Sequence, residues 1–470
     1  MGRKSTAIGF ATVALCSSCN LAMADEKMDS LEKEVAALKK EITSLKYNDT
    51  FLQNQQSTLS EAMKKVSVNG YLNVGYSTLD GGDSQSGISI NGTSDTVDAN
   101  NTFVAGLQVD AKITDSLRSS IQMTARGPDL SKVEASWAYF AYDVTDSFTV
   151  RGGRLRLPFY AYSESIDVGY TYPWTKPPVE VYSLPLNNYE GFDANYNFSL
   201  GDIYASAKVY FGSTKGSAPS YNLNFTLHDL WGVALNFTWD DLTARISYNQ
   251  GTLMLDPWEG EALDQLVTGL ATADVLAVGF GFPAIYAAPV EDVSASFLSA
   301  SLNYDDGNWF VGAEITQGVV ESPVYPMGEG GHLTLGYTFG SWMPYATVSK
   351  FYSNSKSDDY RNDRANALGT FIANGLLPLG NTVIDPSSGA TAAQVAAQLS
   401  QLSAGLSSAN LTQESYSMGV NYTVTRGLKL KFQVTQYSGF DDTNGLFSAP
   451  PGVSIGDKQT EYTFMANMVY

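Results

Sequence analysis

The sequence predicts an all-β fold, a transmembrane antiparallel β-barrel of about 16 strands, preceded by an α-helical coiled coil. Three observations predict this architecture. Near the N-terminus, apolar residues recur with a heptad spacing. The rest of the chain alternates apolar and polar residues in short segments. Short turns alternate with long polar connections between these segments, which is the loop pattern of a membrane-spanning barrel.

The first 24 residues have the features of a secretory signal peptide. Arg3 and Lys4 form a basic head, an apolar stretch follows, and Ala24 precedes acidic Asp25. Both cysteines lie in this segment, so the exported chain is expected to have no disulfide and no reactive thiol. Cleavage before Cys19, as in a lipoprotein, is the alternative. No later run of 18 apolar residues predicts a transmembrane helix.

Residues 25–65 are predicted to form the coiled coil. The d positions of the heptads are apolar throughout: Leu31, Leu38, Leu45, Leu52, Leu59 and Val66. Asp49 and Gln56 interrupt the a positions and are expected to fix the register at a cost in stability. A single amphipathic helix packed on the barrel is the alternative. The pattern leaves the choice between dimer and trimer open.

Residues 66–470 are predicted to form the barrel. In Val66–Tyr76, apolar residues and Gly make up one face, while Ser67, Asn69 and Asn73 lie on the other. The same alternation recurs in later segments, namely Phe103–Ile113, Leu117–Ala125, Ile203–Phe211, Leu242–Tyr248, Leu333–Phe339, Tyr416–Val424, Leu428–Val434 and Tyr462–Tyr470.

The connections are sorted by length. Short turns are predicted at 114–116, 145–147, 201–202, 240–241, 305–308, 340–341 and 425–427. Long connections are predicted near 79–100, 127–131, 158–187, 214–229, 252–292, 321–331, 355–414 and 441–457. A soluble β-sandwich would have similar strands, but nothing would sort its loops by length, so the pattern favours the barrel.

With this loop pattern and the final segment YTFMANMVY, the chain resembles the trimeric porins of Gram-negative outer membranes. The preceding coiled coil resembles the N-terminal extension of sucrose-type and DcaP-like porins. The resemblance implies a homotrimer in the outer membrane, in contact with lipid and lipopolysaccharide. It also implies a periplasmic coiled coil that could contact peptidoglycan. Tyr470 departs from the Phe that is commoner at the end of these porins.

The segment RGGRLRLP, residues 151–158, places three arginines in a predicted strand. We expect a β-bulge at Gly152 and Gly153 to turn Arg154 and Arg156 into the lumen beside Arg151. The alternative is that the strand stops at Gly152 and the arginines lie at the membrane interface. On the neighbouring strand Arg118 and Arg126 also face inward, so these five arginines are predicted to form a basic wall.

By position, the porin resemblance implies that the loop over 158–187 folds into the barrel and narrows it. Its acids Glu164, Asp167 and Glu180 are the predicted partners of the basic wall. Its aromatic residues Tyr170, Tyr172 and Trp174 could stack on sugar rings, or simply pack the loop. The loop lacks the PEFGG-like motif of some general porins.

The predicted function is passive diffusion of small hydrophilic solutes, with a preference for anions from the arginines. Alternatives are a channel selective for sugars or carboxylates, and a structural tether acting through the coiled coil. An enzyme is not expected, because His228 and His332 lie in no catalytic motif and are predicted to be rim residues. No metal or cofactor motif is present. The net charge of −20 and the scarcity of basic clusters argue against nucleic acid.

Overall fold

The computed structural model divides the chain into two compact units, Met1–Ser67 and Val68–Tyr470. The predicted signal peptide, residues 1–24, lies outside the described residues. The structure describes residues 27–49, 51–53, 65–80, 87–127, 132–184, 186–218, 223–260, 262–285, 293–321, 327–353, 355–385, 389–407, 411–441, 443–449, 453 and 455–470.

The first unit contains one described helix, α1, over 27–53. The described side chains of α1 are exposed along their whole length, including Leu31 at 51%, Leu38 at 52% and Leu45 at 60%. The heptad pattern therefore forms a helix, as predicted. The structure is of a single chain, so the pairing of α1 in a coiled coil stays a prediction.

The second unit is a closed antiparallel barrel of 16 strands, which confirms the predicted barrel and its strand number. Each strand pairs with its neighbours along the chain, and β1 closes the barrel by pairing with β18. A two-stranded hairpin, β14 Val383–Asp385 and β15 Ala390–Thr391, stands apart from it. The barrel strands are β1 Val66–Asp80, β2 Val104–Lys112, β3 Leu117–Arg126, β4 Val133–Asp143, β5 Phe148–Arg156, β6 Asn188–Leu200, β7 Ile203–Ala218, β8 Leu223–Trp239, β9 Leu242–Pro257, β10 Val293–Asp305, β11 Trp309–Val320, β12 Gly328–Tyr337, β13 Trp342–Ser353, β16 Thr412–Thr425, β17 Leu428–Ser438 and β18 Gln459–Val469.

The strand alternation separates a polar interior from an apolar exterior. On β13, Thr347 and Ser349 point inward and are buried, while Val348 and Tyr352 point outward and are 47% and 44% exposed. Successive side chains of a strand face opposite sides of the sheet, so one alternating segment supplies both surfaces. An apolar outer surface and a polar inner surface are what a barrel in a bilayer requires.

All seven predicted short turns join neighbouring strands, and their sequences explain their geometry. In the turn after β2, the Thr114 hydroxyl accepts hydrogen bonds from the backbone N–H groups of Ser116 and Leu117. The turn after β4 repeats this arrangement around Thr145. Short polar side chains that bond their own backbone are typical of tight turns. We call this end of the barrel the short-turn end and the opposite one the long-loop end.

Strands β7, β8 and β9 extend further towards the long-loop end than predicted, so the connections expected at 214–229 and 252–292 are partly strand. On β8 the pattern inverts at a bulge between His228 and Trp231. Beyond it, Leu223 and Leu227 point inward and are buried, whereas Trp239 on the other side of the bulge points outward and is 59% exposed. This inversion explains why the alternation was not recognised as one strand.

Three loop helices lie at the long-loop end: α2 Ala262–Gly279, α3 Ser355–Phe371 and α4 Ala392–Ser407. The Ala-rich segment 391–411 predicts a helix from sequence alone, and α4 confirms it, whereas the sequence predicts neither α2 nor α3. Leu270 of α2, Leu368 of α3 and Leu399 of α4 belong to one apolar core together with Leu223 and Leu253 of the barrel. Among the described residues, no helix is both long and apolar enough to cross a membrane.

Candidate functional site: the inner loop and its charged wall

The connection between β5 and β6 lies inside the barrel, and we call residues 157–187 the inner loop. Its described residues contact inward-facing side chains on opposite sides of the wall. Arg245 of β9 donates to the Pro158 carbonyl at 2.6 Å, and Asn73 of β1 donates to the Asp167 carbonyl at 2.8 Å. The loop therefore crosses the lumen.

The first group of charges joins β3, β5 and the inner loop. Asp167 accepts hydrogen bonds from Arg126, with Nη2 and Oδ2 2.8 Å apart, and from Arg156. Arg126 also forms a salt bridge with Glu134 of β4. The side chains of Arg156 and Asp167 are 3% and 9% exposed. Because β5 ends at Arg156, the chain turns into the barrel there and brings Asp167 back against both arginines.

A second group lies beside the first on β5, β6 and β7. Arg151 holds the Asp193 carboxylate through two nitrogens, with Nη2–Oδ2 at 2.6 Å and Nε–Oδ1 at 2.9 Å. This bidentate geometry fixes both side chains. Lys208 donates to Glu164 of the inner loop at 2.6 Å. The positive charge of Lys208, with smaller contributions from Arg151 and Arg245, lowers the pKa of Glu164 to about 2. Glu164 is therefore an anion at any ordinary pH.

These two groups form what we call the charged wall. Its basic members are Arg126, Arg151, Arg156, Lys208 and Arg245, and its acidic members are Glu134, Glu164, Asp167 and Asp193. The strand alternation in the sequence predicts that Lys208 and Arg245 face inward, but their role beside the inner loop depends on how that loop folds. The arrangement offers a polar, charge-lined surface and no nucleophile with an adjacent base.

The structure corrects the expected bulge at Gly152 and Gly153. The pairing of β5 with β6 runs in unbroken register from Arg151–Asp193 to Arg154–Glu190. The irregularity is instead in the β3–β4 pairing, between Gln122 and Met123. Gly153 has a φ of 135°, and a Cβ there would lie 2.3 Å from the Ala138 carbonyl oxygen. The glycine thus permits a close backbone approach rather than an inserted residue.

Without the bulge, Arg154 does not join the other arginines. Arg154 pairs with Glu190, and Gly152, two residues earlier on β5, pairs with Phe192. Residues two apart on a strand lie on the same face, so Arg154 and Phe192 share a face of the sheet. Phe192 is 72% exposed, so this is the outer face. Arg154 and Glu190 form a salt bridge of 3.0 Å, which offsets the charge of each. Arg118 lies at the short-turn end and pairs with Asp143, so it is also apart from the charged wall.

Glu180 does not pair with the arginines either. It lies where the inner loop has reached β16, and its Oε1 accepts a hydrogen bond from Gln413 at 2.7 Å. The side chain is 1% exposed, and its burial raises the pKa of Glu180. The loop crosses the lumen between Asp167 and Glu180, so two acids that are close in sequence contact opposite sides of the barrel.

The aromatic residues mostly pack the loop. The Trp174 ring is fully buried, and its Nε1 donates to the Thr334 and Thr347 hydroxyls, each at 3.0 Å. Tyr172 is 6% exposed and donates to the Ile166 carbonyl. Neither ring presents a face to a solute. Tyr170 is partly exposed and lies over Lys429, with Nζ 4.3 Å from the ring centre.

Two anchors of the inner loop were not assigned from the sequence. Lys431 of β17 is buried and donates to three loop carbonyls. Glu314 of β11 accepts from the Ala161 N–H at 2.9 Å and from the Tyr182 hydroxyl at 2.5 Å. The strand alternation in the sequence predicts that both residues face inward, and a charged inward residue far from the arginines is the signal that could have identified them.

The two histidines differ in environment. His332 was expected at the rim but is buried on β12, 5.0 Å from the Trp174 ring, because the inner loop covers it. His228 lies at the β8 bulge, with Nδ1 2.8 Å from Asp229. Within the part of the chain that the structure describes, no group of three or more His, Cys, Asp or Glu side chains could hold a metal ion.

No protein-family model matches the chain, and no curated protein sequence matches it. Solved structures do match, and those named here are outer-membrane proteins. The anion-selective porin from Comamonas acidovorans is 10% identical, with 86% of this chain and 99% of that chain covered and a TM-score of 0.47. The outer-membrane channel DcaP of Acinetobacter baumannii is 11% identical, with 86% and 97% covered and a TM-score of 0.47.

OmpT of Vibrio cholerae, in a trimer form, is also 11% identical. The match covers 86% of this chain and 99% of that chain, with a TM-score of 0.46. These three similar structures are thus outer-membrane proteins, one of them a porin and one a channel. At this identity and with TM-scores below 0.5, the likeness carries no functional conclusion.

Proposed function

We propose that the protein is an outer-membrane channel for passive diffusion of small hydrophilic solutes. One observation carries the proposal. The carboxylates of Glu134 and Glu164 belong to the charged wall inside the barrel, yet their side chains are 47% and 57% exposed. Exposed charges between the wall and the inner loop require water beside them, because an unhydrated charge is costly. The lumen beside the charged wall is therefore the proposed solute path.

The charged wall favours anions weakly. It has five basic and four acidic side chains, and most of them are paired. Opposed charges across a narrow passage create a transverse field, which orients polar solutes and disfavours apolar ones. A sugar-selective channel has less support, because Tyr172 and Trp174 are buried.

Planar-bilayer recordings test this proposal through opposite charge changes at one ion pair. We expect the purified protein to conduct. Lys208→Ala leaves Glu164 unpaired and should shift the reversal potential in a salt gradient towards cation preference. Glu164→Ala leaves Lys208 unpaired and should shift it towards anion preference. Lys112→Ala is the matched control, since its partner Asp115 lies 3.3 Å away at a short turn. A silent protein, or equal shifts in both variants, would contradict the proposal.

The same proposal places the barrel in the outer membrane of a Gram-negative bacterium, in contact with lipid and lipopolysaccharide. The exposed apolar stripe of α1 supports self-association, because such a stripe is stable in water only when covered. We propose a parallel three-helix coiled coil in the periplasm, hence a homotrimer. A tether to peptidoglycan through this coil is compatible with the channel.

A further inference from the structure

An apolar cavity lies inside the barrel at the long-loop end. It has a volume of about 60 Å³. Its wall combines inward-facing residues of β8, β9 and β10 with the inner loop, among them Leu227, Leu253, Phe297, Phe159 and Leu184. The inner surface of a barrel around a water-filled channel is normally polar. This apolar sector is therefore not explained by diffusion of hydrophilic solutes.

The chemistry of the lining decides what can fill the cavity. Leu227, Leu253 and Phe297 are buried and offer no hydrogen bonds. Water needs two to four polar partners to be stable in a protein interior, so apolar cavities stay dry and accept small apolar molecules. At about 60 Å³ the cavity is therefore suited to a short alkyl group of about three carbons, because a benzene ring binds in cavities of about 150 Å³.

A polar group borders this cavity. A second cavity of about 30 Å³ shares Leu184, Phe297 and Met327 with the first and is also lined by Glu180. Gln413 donates to Oε1 of Glu180, but Oε2 has no hydrogen-bond partner. A buried acceptor without a partner is costly, because it has lost its hydrogen bonds to water. Burial raises the pKa of Glu180, which fits a carboxyl group in need of a proton or a donor.

We propose that the two cavities form one binding site for a small amphiphilic molecule. Its short alkyl chain occupies the apolar cavity, and its hydroxyl or ammonium head donates a hydrogen bond to Glu180. The proposal does not depend on the diffusion function, because the charged wall takes no part in it. A ligand with a carboxylate head should bind poorly, since it has no donor for Glu180.

Three probes with the same propyl chain and different heads test the site: propylamine, 1-propanol and butanoate. Binding is measured by calorimetry on the full-length protein in lipid nanodiscs, with empty nanodiscs subtracted. We expect the amine and the alcohol to bind more tightly than butanoate by at least about tenfold, a difference of about 1.4 kcal/mol. Equal binding of all three by the unaltered protein would overturn the role of Glu180.

Two substitutions on β10 test the location. Ala295 lines the apolar cavity, so Ala295→Leu should fill it and weaken the binding of propylamine and 1-propanol at least about tenfold. Ser294→Leu adds a leucine on the opposite face of the same strand and should leave binding unchanged. Unchanged binding in Ala295→Leu, with the folded barrel verified by heat-modifiable electrophoretic mobility, would overturn the site.

Glu180→Gln tests the head group separately. Gln is close to Glu in shape and retains an oxygen that can accept from Gln413, so the loop should keep its course. The amide NH2 then takes the place of Oε2 and can donate to a carboxylate or to an alcohol oxygen, but it accepts no hydrogen bond. We expect the preference for amine and alcohol over butanoate to disappear while the alkyl chain still binds. Retention of the full preference would assign head-group recognition elsewhere and overturn the proposal.

Discussion

Lys431 is the residue on which the course of the inner loop most depends. Its Nζ donates to the carbonyls of Gly169, Tyr172 and Trp174 at 2.5, 2.6 and 2.9 Å. An ammonium group has three donors, and here the backbone of one loop satisfies all of them. The side chain is 1% exposed, so water cannot substitute for these bonds. Lys431 thus fixes the loop against the wall opposite the arginines.

Substituting Lys431 by Met should release this part of the loop. The three carbonyls lose their donor, at roughly 1–3 kcal/mol for each one left unsatisfied. We expect single-channel recordings to show larger and noisier conductance, because the loop would no longer be held in one position. The matched control is Lys429→Met, since Lys429 donates to one loop carbonyl only, that of Tyr170 at 3.1 Å. Identical conductance in both variants would contradict the anchoring role.

Gly153 gives a second prediction at the scale of one residue. Its φ of 135° and the 2.3 Å approach of a Cβ to Ala138 leave no room for a side chain. Gly201, in a short turn, has a φ of 63° but open space around it. In Gly201→Ala the free energy of unfolding should fall only by the roughly 1–3 kcal/mol that a strained backbone costs. In Gly153→Ala it should fall further, because the new Cβ also clashes with the backbone of Ala138.

Urea unfolding of the two glycine variants in lipid vesicles measures the difference. The midpoint should fall further for Gly153→Ala than for Gly201→Ala, with the slope unchanged. Equal losses in the two variants would mean that β4 and β5 can separate locally, and that the contact seen at Ala138 is not constraining.

At the scale of elements, the sequence predicts most where structure is local. The seven short turns follow from Thr, Asp and Gly at fixed spacing, because those side chains bond their own backbone. Strands such as β13 follow from a single alternating pattern. The sequence pattern does not identify β8 as one strand, because its inward and outward positions exchange at the bulge near His228. Helices α2 and α3 were missed because their apolar faces become evident only against the barrel core.

The self-association of α1 can be tested on an isolated peptide. A peptide of residues 25–65 should gain helicity with concentration and sediment as three chains, since association covers the exposed stripe that includes Leu38. Leu38→Glu places a charge within that stripe and should yield monomers. Lys40→Glu introduces the same charge at an outward position and should still associate. Circular dichroism and sedimentation equilibrium measure both properties, and a peptide that stays monomeric would remove support for the coil.

At the scale of the whole molecule, the site could be predicted only in part. The porin resemblance predicts Asp167 as a partner of the arginines because it lies on a loop that folds into the barrel, and the structure brings Arg126 and Arg156 to it. Glu180 was assigned the same partners but contacts Gln413, more than two hundred residues further along the chain. Which wall strand a loop residue meets depends on the closed barrel and the path of the loop through it. Local sequence patterns specify neither the closure of the barrel nor the path of the loop.

Replacing the inner loop tests its place in the whole molecule. The Leu157 N–H donates to the Asn187 carbonyl at 2.9 Å, so the two ends of the loop are already paired as in a hairpin. Residues 158–186 can therefore be replaced by Asn-Gly, which favours a two-residue hairpin turn. The barrel should still close, because the β5–β6 pairing ends at Arg156–Asn188 and does not use the loop.

We expect this variant to conduct severalfold more than the unaltered protein and to lose most of its ion preference, because Glu164 and Asp167 are removed and the passage widens. An equally short link between Val320 of β11 and Gly328 of β12 is the control, since it shortens a long-loop connection without removing any residue of the inner loop. Conductance should rise only in the first variant. If both variants conduct like the unaltered protein, the passage is limited elsewhere, and the inner loop serves to stabilise the barrel rather than to set its conductance.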